Sequence, residues 1–466
     1  MKVCMFVLNN CKYDARVLRE AQTLSEAGHD VRIIAVLDKD TEPYEEKDGF
    51  RIIRVRQRQI PHQVPEAVAK AELFAADFAF QLARRAYHLA GRGPEQPSHP
   101  SGQSGQSAQD KAAQRQARSG TQRLMEVAFS KVEKVVPGAR RRLHSVARTA
   151  LWILNAPLTL GNYYRFWKAA KREPANVYHC HDLPTLPLGY IAKRRIGGKL
   201  VYDSHELFTE LHYVPRVNRP IFGFLERHLI RRADVVITVN RLIAEELSQR
   251  YGINLPDVVM NCPPLARHTD IQGSRSLRVS LGLDATVPII VHVGKFDKAR
   301  GAGELILATP FLDCGVVVFL GWSEEEAQLK ELVRRRHLRD RVLFAPPVAP
   351  DQVVGHISSA DVGVIPVLNV SLNHYYATPN KLWECLSAGL PVVSSNFPAL
   401  RAVVEGHSLG CTCDTEYVRD IANAINYVLS DQTRYEEMRR NALEAAKTFN
   451  WENESAKLLH IYGRLS

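Results

Sequence analysis

Two successive α/β domains, each built on a parallel sheet, are predicted by three observations on this sequence. Short Val/Ile-rich runs alternate with amphipathic stretches of helical period, the pattern of strands buried on both faces by helices. The alternation falls into two separate series, with a linker predicted near Ala266–Ser276. The length of 466 residues leaves room for two sizeable cores. The expected boundaries are residues 1–265 for the first domain, 277–450 for the second, and 451–466 for a C-terminal helix.

The first series opens with a strand over 2–8, a helix over 14–27, and strands over 31–37 and 50–55. It resumes with strands at 177–180, 199–203 and 235–239 and helices near 186–195, 221–232 and 241–251. The second series runs strand 288–293, helix 303–309, strand 315–320, helix 324–336, strand 342–344 and helix 350–358. Strand 362–366, a short helix in the 380s and strand 391–394 follow, and Asn450-Trp451 leads into a last helix. Paired sheets of this kind are Rossmann-like, and ligands bind beyond the carboxyl ends of their strands. The two domains are therefore expected to face each other across a cleft.

Between the early strands and Val177 lies an insertion, about 60–175. Residues 91–120 hold 5 Gly, 5 Ser, 6 Gln and 3 Pro, too little apolar surface to offset the entropy of ordering, so a flexible loop is expected there. It separates two mostly helical arms at 62–90 and 121–172. Residues 131–175 hold ten Lys/Arg against Glu133 and Glu173, a local charge of +8 within a chain of +11. Interleaved Trp152, Phe166 and Trp167 suit this arm to an anionic membrane surface as well as to a solvated helix pair. No nucleic-acid module accompanies the charge.

Hydrophobic content of 45% and charged content of 24% are those of a soluble globular protein. The eight cysteines sit mostly in apolar runs, so free thiols in a reducing cytoplasm are expected, not disulfides. Val3–Leu8 is too short for a signal core, and no apolar run reaches the ~20 residues needed to span a bilayer. The expected place is the cytoplasm, with peripheral contact at the inner membrane face.

The most informative run is His374 to Val393. Thr378 is expected to cap a helix with Pro379 at its first position, and Gly389 with Pro391 to end it before a Val-Val strand. Lys381 and Glu384 then share one face near the helix start, where free N–H groups favour an anion and a carboxylate accepts from ribose hydroxyls. In a second run, the strand ending at Gly294 leads into Lys295 and Arg300, cations placed at a strand-to-helix turn to neutralise a diphosphate. In the first domain, His179-Cys180-His181-Asp182 and Tyr202-Asp203-Ser204-His205-Glu206 end strands. Strand alternation sends Cys180 away from both histidines, which argues against zinc. Asp38-Lys39-Asp40 lies in a charge-dense loop and is read as solvated, and Cys411-Thr412-Cys413 as structural.

The Pro379-Asn380-Lys381-Leu382-Trp383-Glu384 run resembles the donor-site signature of retaining family-4 glycosyltransferases (glycosyl transferases group 1). The turn with Lys295 and Arg300 is similar to that family's diphosphate loop with its two cations exchanged. His179-x-His181-Asp182, Tyr202 to Glu206, and Asp14, Arg16, Val17, Glu20 and Ala21 resemble its acceptor-side segments. Tyr376 stands where the family has a first glutamate. The resemblance covers most of the chain outside about 60–175. It implies a GT-B architecture and a retaining, hexosyltransferase-like enzyme of polysaccharide biosynthesis that needs no metal or other cofactor. Donor binding falls to Gly294, Lys295, Arg300, Asn380, Lys381, Leu382 and Glu384, and catalysis to His181, Lys295 and Arg300. The acceptor side falls to Asp14, Arg16, His181, Asp182, His205 and Glu206. The partners implied are a nucleotide-sugar and a glycan or lipid-linked acceptor. A non-hydrolysing nucleotide-sugar 2-epimerase and a non-catalytic partner of the same fold are the alternatives.

Overall fold

The computed structural model describes residues 1–57, 160–211, 214–265 and 276–465. The predicted flexible loop, the 62–90 arm, the 121–159 part of the second arm and most of the 266–276 linker lie outside the described residues. Described residues of 1–56, 165–214 and 219–466 form one compact unit that contains two sheets.

The first sheet is built from β1 (Lys2–Phe6), β2 (Asp30–Leu37), β3 (Tyr44–Lys47), β4 (Phe50–Arg56), β5 (Val177–His181), β6 (Lys199–Ser204), β7 (Val235–Thr238) and β8 (Asp257–Val258). Its spatial order is β3-β4-β2-β1-β5-β6-β7-β8, parallel except where β3 pairs antiparallel with β4. The second comprises β9 (Ile289–Lys295), β10 (Val316–Trp322), β11 (Val342–Ala345), β12 (Val362–Ile365), β13 (Val392–Ser395) and β14 (Gly410–Cys413). Its order is β11-β10-β9-β12-β13-β14, parallel throughout. Both sheets reverse their winding beside their first strand, between β1 and β5 and between β9 and β12. Those switch points are where crossover loops part and leave room for a ligand.

Alternation along β9 shows how the second sheet is covered. Ile289, Val291 and Val293 enter a core with Trp383, Leu386 and Leu400, while Ile290 enters another with Ile306, Phe319 and Ile425. The helix Asn380–Ser387 closes with Gly389 at φ +71. Gly389 N–H bonds Leu386 O and Leu390 N–H bonds Cys385 O, a Schellman ending as predicted.

Its start differs from the prediction. Pro379 occupies the cap position, the first helical residue is Asn380, and no side chain caps it. Thr378 instead accepts from Asn240 Nδ2 at 3.3 Å. Part of the supposed solvated loop also departs from expectation, because Tyr44–Lys47 forms an edge strand whose Glu45 pairs with Arg54 at 2.6 Å. Charged residues suit such an edge by discouraging further pairing. Within the basic arm, residues 160–172 are helical and Phe166 is buried, so that aromatic is not part of an exposed face. All eight cysteines are free. Cys411 and Cys413 lie in β14.

The C-terminal helix Trp451–Gly463 returns to the first domain. Trp451, Leu458, Ile461 and Tyr462 complete the core made by Val3, Met5, Leu24 and Ile33. Trp451 Nε1 donates to Thr23 Oγ1 at 3.0 Å. No described helix is long and apolar enough to cross a membrane.

Gly301 ends the turn after β9 with φ +70, and a Cβ there would lie 1.8 Å from Pro366 O. Gly303, two residues on inside the helix Ala302–Ala308, has nothing within 4 Å of such a Cβ. Gly301→Ala is therefore expected to destabilise by about 3 kcal/mol, through clash and left-handed strain. Gly303→Ala should stabilise by about 0.5–1 kcal/mol. Urea denaturation of the two variants checks both signs.

Candidate functional site

The carboxyl ends of the two sheets frame a cleft of about 470 Å³. From the first domain it is lined by Asp14, Arg16, His205, Glu206 and Asn261, and from the second by Arg300, Asn373, Thr378 and Asn380. Four hydrogen bonds cross beside it: Leu207 N–H to Asn373 Oδ1 (2.9 Å), Asn240 Nδ2 to Tyr376 O (2.8 Å) and Thr378 Oγ1 (3.3 Å), and Asn261 Nδ2 to Asn380 Oδ1 (3.1 Å).

The first-domain wall rests on a buried ion pair. Helix Ala15–Glu26 begins at Asp14, whose carboxylate accepts from Val17 N–H and so fixes the first turn. That turn aims Arg16 at β6, where its Nε and Nη2 each donate to Asp203 at 2.8 Å and its Nη1 to Val259 O at 2.7 Å. Burial alone would raise the Asp203 carboxyl, but Arg16 and His205 hold it well below the usual carboxylate range. Glu20 lies 3.0 Å from Arg16 Nε as a charge partner, without hydrogen-bond geometry. Burial pushes its carboxyl up to about 7, against the pull of Arg16.

His205 sits between two carboxylates, with Nε2 2.9 Å from Asp203 and Nδ1 3.4 Å from Asp182. Burial works against its charge, yet Asp182 and Asp203 push it up to about 10, so it faces the cleft as an imidazolium at neutral pH. Asp182 adopts φ +63 and ψ 162, a conformation costly for any residue but glycine. It is held there by its N–H on Asp203 O (2.8 Å) and by His205 N–H on its Oδ1 (3.0 Å). Next in the chain, Glu206 lines the cleft, and burial followed by the nearby Asp182 charge pushes its carboxyl up to about 7.

On the second-domain wall, Asp297 caps the turn after β9 by accepting from Arg300 N–H, and its other oxygen pairs with the Arg300 guanidinium at 2.7 Å. Lys381 is almost wholly buried, its Nζ 2.8 Å from His292 Nε2. Burial, then the Arg300 charge, brings its amine down to about 7. One turn later on the helix, burial raises the Glu384 carboxyl against the pull of Lys381 and Arg19. Arg19, from the first domain, donates to Asn261 Oδ1 (3.2 Å) and to Cys262 O. Arg300 as a fixed cation, Lys381 as a lysine whose amine is brought down to about 7, Glu384 as a hydroxyl acceptor and the open helix start with its backbone N–H groups together form the complement of a ribose diphosphate.

Of the residues singled out from sequence, Asp14, Arg16, His205, Glu206, Arg300 and Asn380 line the cleft. Others do not. His181 is buried behind His205, with Nδ1 3.2 Å from both Asp203 and the His205 ring. Leu382 is a core residue, and only its N–H is near the helix start, bonded to Pro379 O. Gly294, at φ +80, lies within β9, paired with Gly321 one residue before the strand ends. Lys295 is absent from the cleft lining; it reaches Glu324 (3.7 Å) and shares Asp297 Oδ2 with Arg300, at 3.9 Å. Sequence reasoning missed the structural roles of Arg19, Asn240, Asn261 and Asn373, polar residues with no local spacing to mark them.

Glu20, His179, His181 and Asp203 bring ligand atoms within 4.8 Å of one another. Cys180 points elsewhere, against Gly189, as alternation requires. This set is not the zinc trio weighed from sequence, and it already contains a cation. Arg16 stands within 3.0 Å of both carboxylates, so a dication here would meet the guanidinium charge.

Comparison with known proteins adds an independent observation. Residues 274–447 match the family described as glycosyl transferases group 1, and residues 123–262 match glycosyltransferase family 4. The chain is 26% identical to the D-inositol 3-phosphate glycosyltransferase of Xylanimonas cellulosilytica, over 62% of this chain and 72% of that one. It is 27% identical to the enzyme of the same name from Rhodococcus opacus, over 63% and 68%. Among solved structures, sucrose-phosphate synthase from Thermosynechococcus elongatus superposes with a TM-score of 0.67 at 17% identity, covering 100% and 99% of the two chains. The Anabaena protein HepE in complex with UDP-glucose does so with 0.64 at 14%, covering all of both.

The buried carboxyl of Glu20 gives a pH test. Its ordinary value is 4.5 and its folded value about 7, so between these the folded state binds more protons and stability falls as pH rises. Glu20→Gln removes the titration and keeps the shape. The variant is expected to gain about 1–3 kcal/mol on wild type between pH 5 and pH 8. Paired denaturation curves at the two pH values measure it, and a constant difference would contradict the assignment.

Proposed function

The chain belongs to the group 1 glycosyl transferases and has the GT-B fold, and on that premise we propose that it carries out retaining transfer from a nucleotide-sugar to an acceptor hydroxyl without a metal ion. The observation that carries this reading is Arg300 on one wall of the cleft facing His205 and Glu206 on the other, with Lys381 and Glu384 on the helix that begins at the cleft and Lys381 within reach of the Arg300 charge. Glu384 accepts from the ribose hydroxyls. Arg300, with Lys295, takes the diphosphate at the start of helix Asn380–Ser387.

As the bond from the anomeric carbon to the diphosphate oxygen breaks, charge grows on that oxygen, and fixed cations stabilise it without rearranging. The acceptor hydroxyl forms the new bond on the face the diphosphate leaves. Its proton passes to the departing phosphate oxygen, so configuration is retained. His205 and Glu206 orient the sugar hydroxyls from the first-domain side. His181 supports His205 from behind, and Arg16 holds Asp203 under both.

The acceptor we infer is a glycan or a lipid-linked one, presented at an anionic membrane surface. The support is the charge of residues 131–175 together with Trp152 and Trp167, Phe166 being buried; residues 131–159 lie outside the described residues. The names of the relatives, which act on inositol phosphate or make sucrose phosphate, favour hydroxyl acceptors in general.

Release of nucleoside diphosphate from a panel of nucleotide-sugars tests the reading. Arg300→Ala is expected to lower kcat by about 100-fold with a smaller change in donor affinity. Glu384→Gln should weaken donor binding by about 1–3 kcal/mol. Activity should survive chelation of divalent ions. Interconversion of the nucleotide-sugar with no acceptor present would instead identify an epimerase.

A further inference from the structure

We propose that Trp322 is the platform on which the donor's nucleobase stacks, and that Lys295 leaves this ring for the diphosphate when the donor binds. The inference rests on the nucleotide-sugar reading and names a residue that reading does not use.

Trp322 ends β10 at the carboxyl edge of the second sheet, in register with Lys295 at the end of β9. It is 49% exposed, whereas Trp383 and Trp451 are buried in the two domain cores. A large aromatic left half in water at the ligand-binding edge of a parallel sheet is an unfilled contact surface. Its root is rigid. Trp322 O accepts from Phe296 N–H at 3.2 Å, and a Cβ on Gly321 would lie 2.0 Å from Gly294 O. The backbone that carries the indole is therefore fixed to the same turn that carries both cations.

Those two cations stand differently. Arg300 lines the cleft, while Lys295 Nζ lies 4.9 Å from the centre of the Trp322 ring, with Glu324 and Asp297 flanking it. An ammonium on an exposed ring is held weakly, and a diphosphate offers it full opposite charges. A nucleoside diphosphate meets both demands at once: its base has a flat π-face for the indole, and its phosphates draw Lys295 toward Arg300. Stacking is tolerant of base identity, so Trp322 sets the preference for a nucleoside over a bare diphosphate, not the choice among bases.

Calorimetric titration of the full chain with UDP, GDP, ADP and pyrophosphate tests the proposal. Trp322→Leu is expected to weaken binding of the preferred nucleoside diphosphate by about ten-fold or more, the scale of one lost base stack. Pyrophosphate affinity should stay unchanged, and Trp322→Phe should keep most of the nucleotide affinity. Tryptophan fluorescence of wild type should be quenched by the nucleotide, and this quenching should disappear in Trp322→Phe. Equal nucleotide affinity in wild type and Trp322→Leu, or an equal loss for pyrophosphate, overturns the stacking role alone. Failure of wild type to bind any nucleoside diphosphate overturns the donor reading, and the stacking role with it.

Discussion

The bidentate contact between Arg16 and Asp203 is the interaction on which the first-domain wall depends. Both groups are almost wholly removed from water, and each is tolerable there only because the other is present. Breaking such a pair typically costs about 3–5 kcal/mol, because one buried charge is left alone. Asp203 also receives His205, and Asp203 O holds the strained Asp182 by its N–H. One arginine on the first helix thereby fixes the ends of β5 and β6 and the charge state of the imidazole facing the cleft.

The opposite wall follows another logic. Its cations share a few acids: Arg300 and Lys295 both reach Asp297, Lys295 also reaches Glu324, and Lys381 lies against a neutral imidazole with Glu384 one turn on. Arg300 keeps its guanidinium at the cleft, while burial and that charge hold the Lys381 amine down.

Much of this was legible in the sequence because it is written locally. The strand–helix alternation, the Schellman end at Gly389 and the turn through Lys295 to Gly301 depend on residues a few positions apart. The helix start was misread at Thr378 because its hydroxyl is taken by Asn240, a residue 138 positions away. The strand at Tyr44–Lys47 was hidden by its charges, which suit an edge and resemble a loop. Convergence of Glu20, His179, His181 and Asp203 joins three separate elements, so spacing gives no sign of it. Alternation along β5, by contrast, is local, and Cys180 does point away from His179 and His181.

The path of the last helix bears on the order in which the chain can be completed during synthesis. The cores of the second domain draw on residues only as far as Phe449, whereas the core of the first needs Trp451, Leu458, Ile461, Tyr462 and Leu465. On a ribosome, the domain translated second can therefore close before the domain translated first. Until residues 451–465 emerge, Met5, Leu24 and Ile33 present an open apolar surface, a standing target for chaperones while the rest of the chain is made.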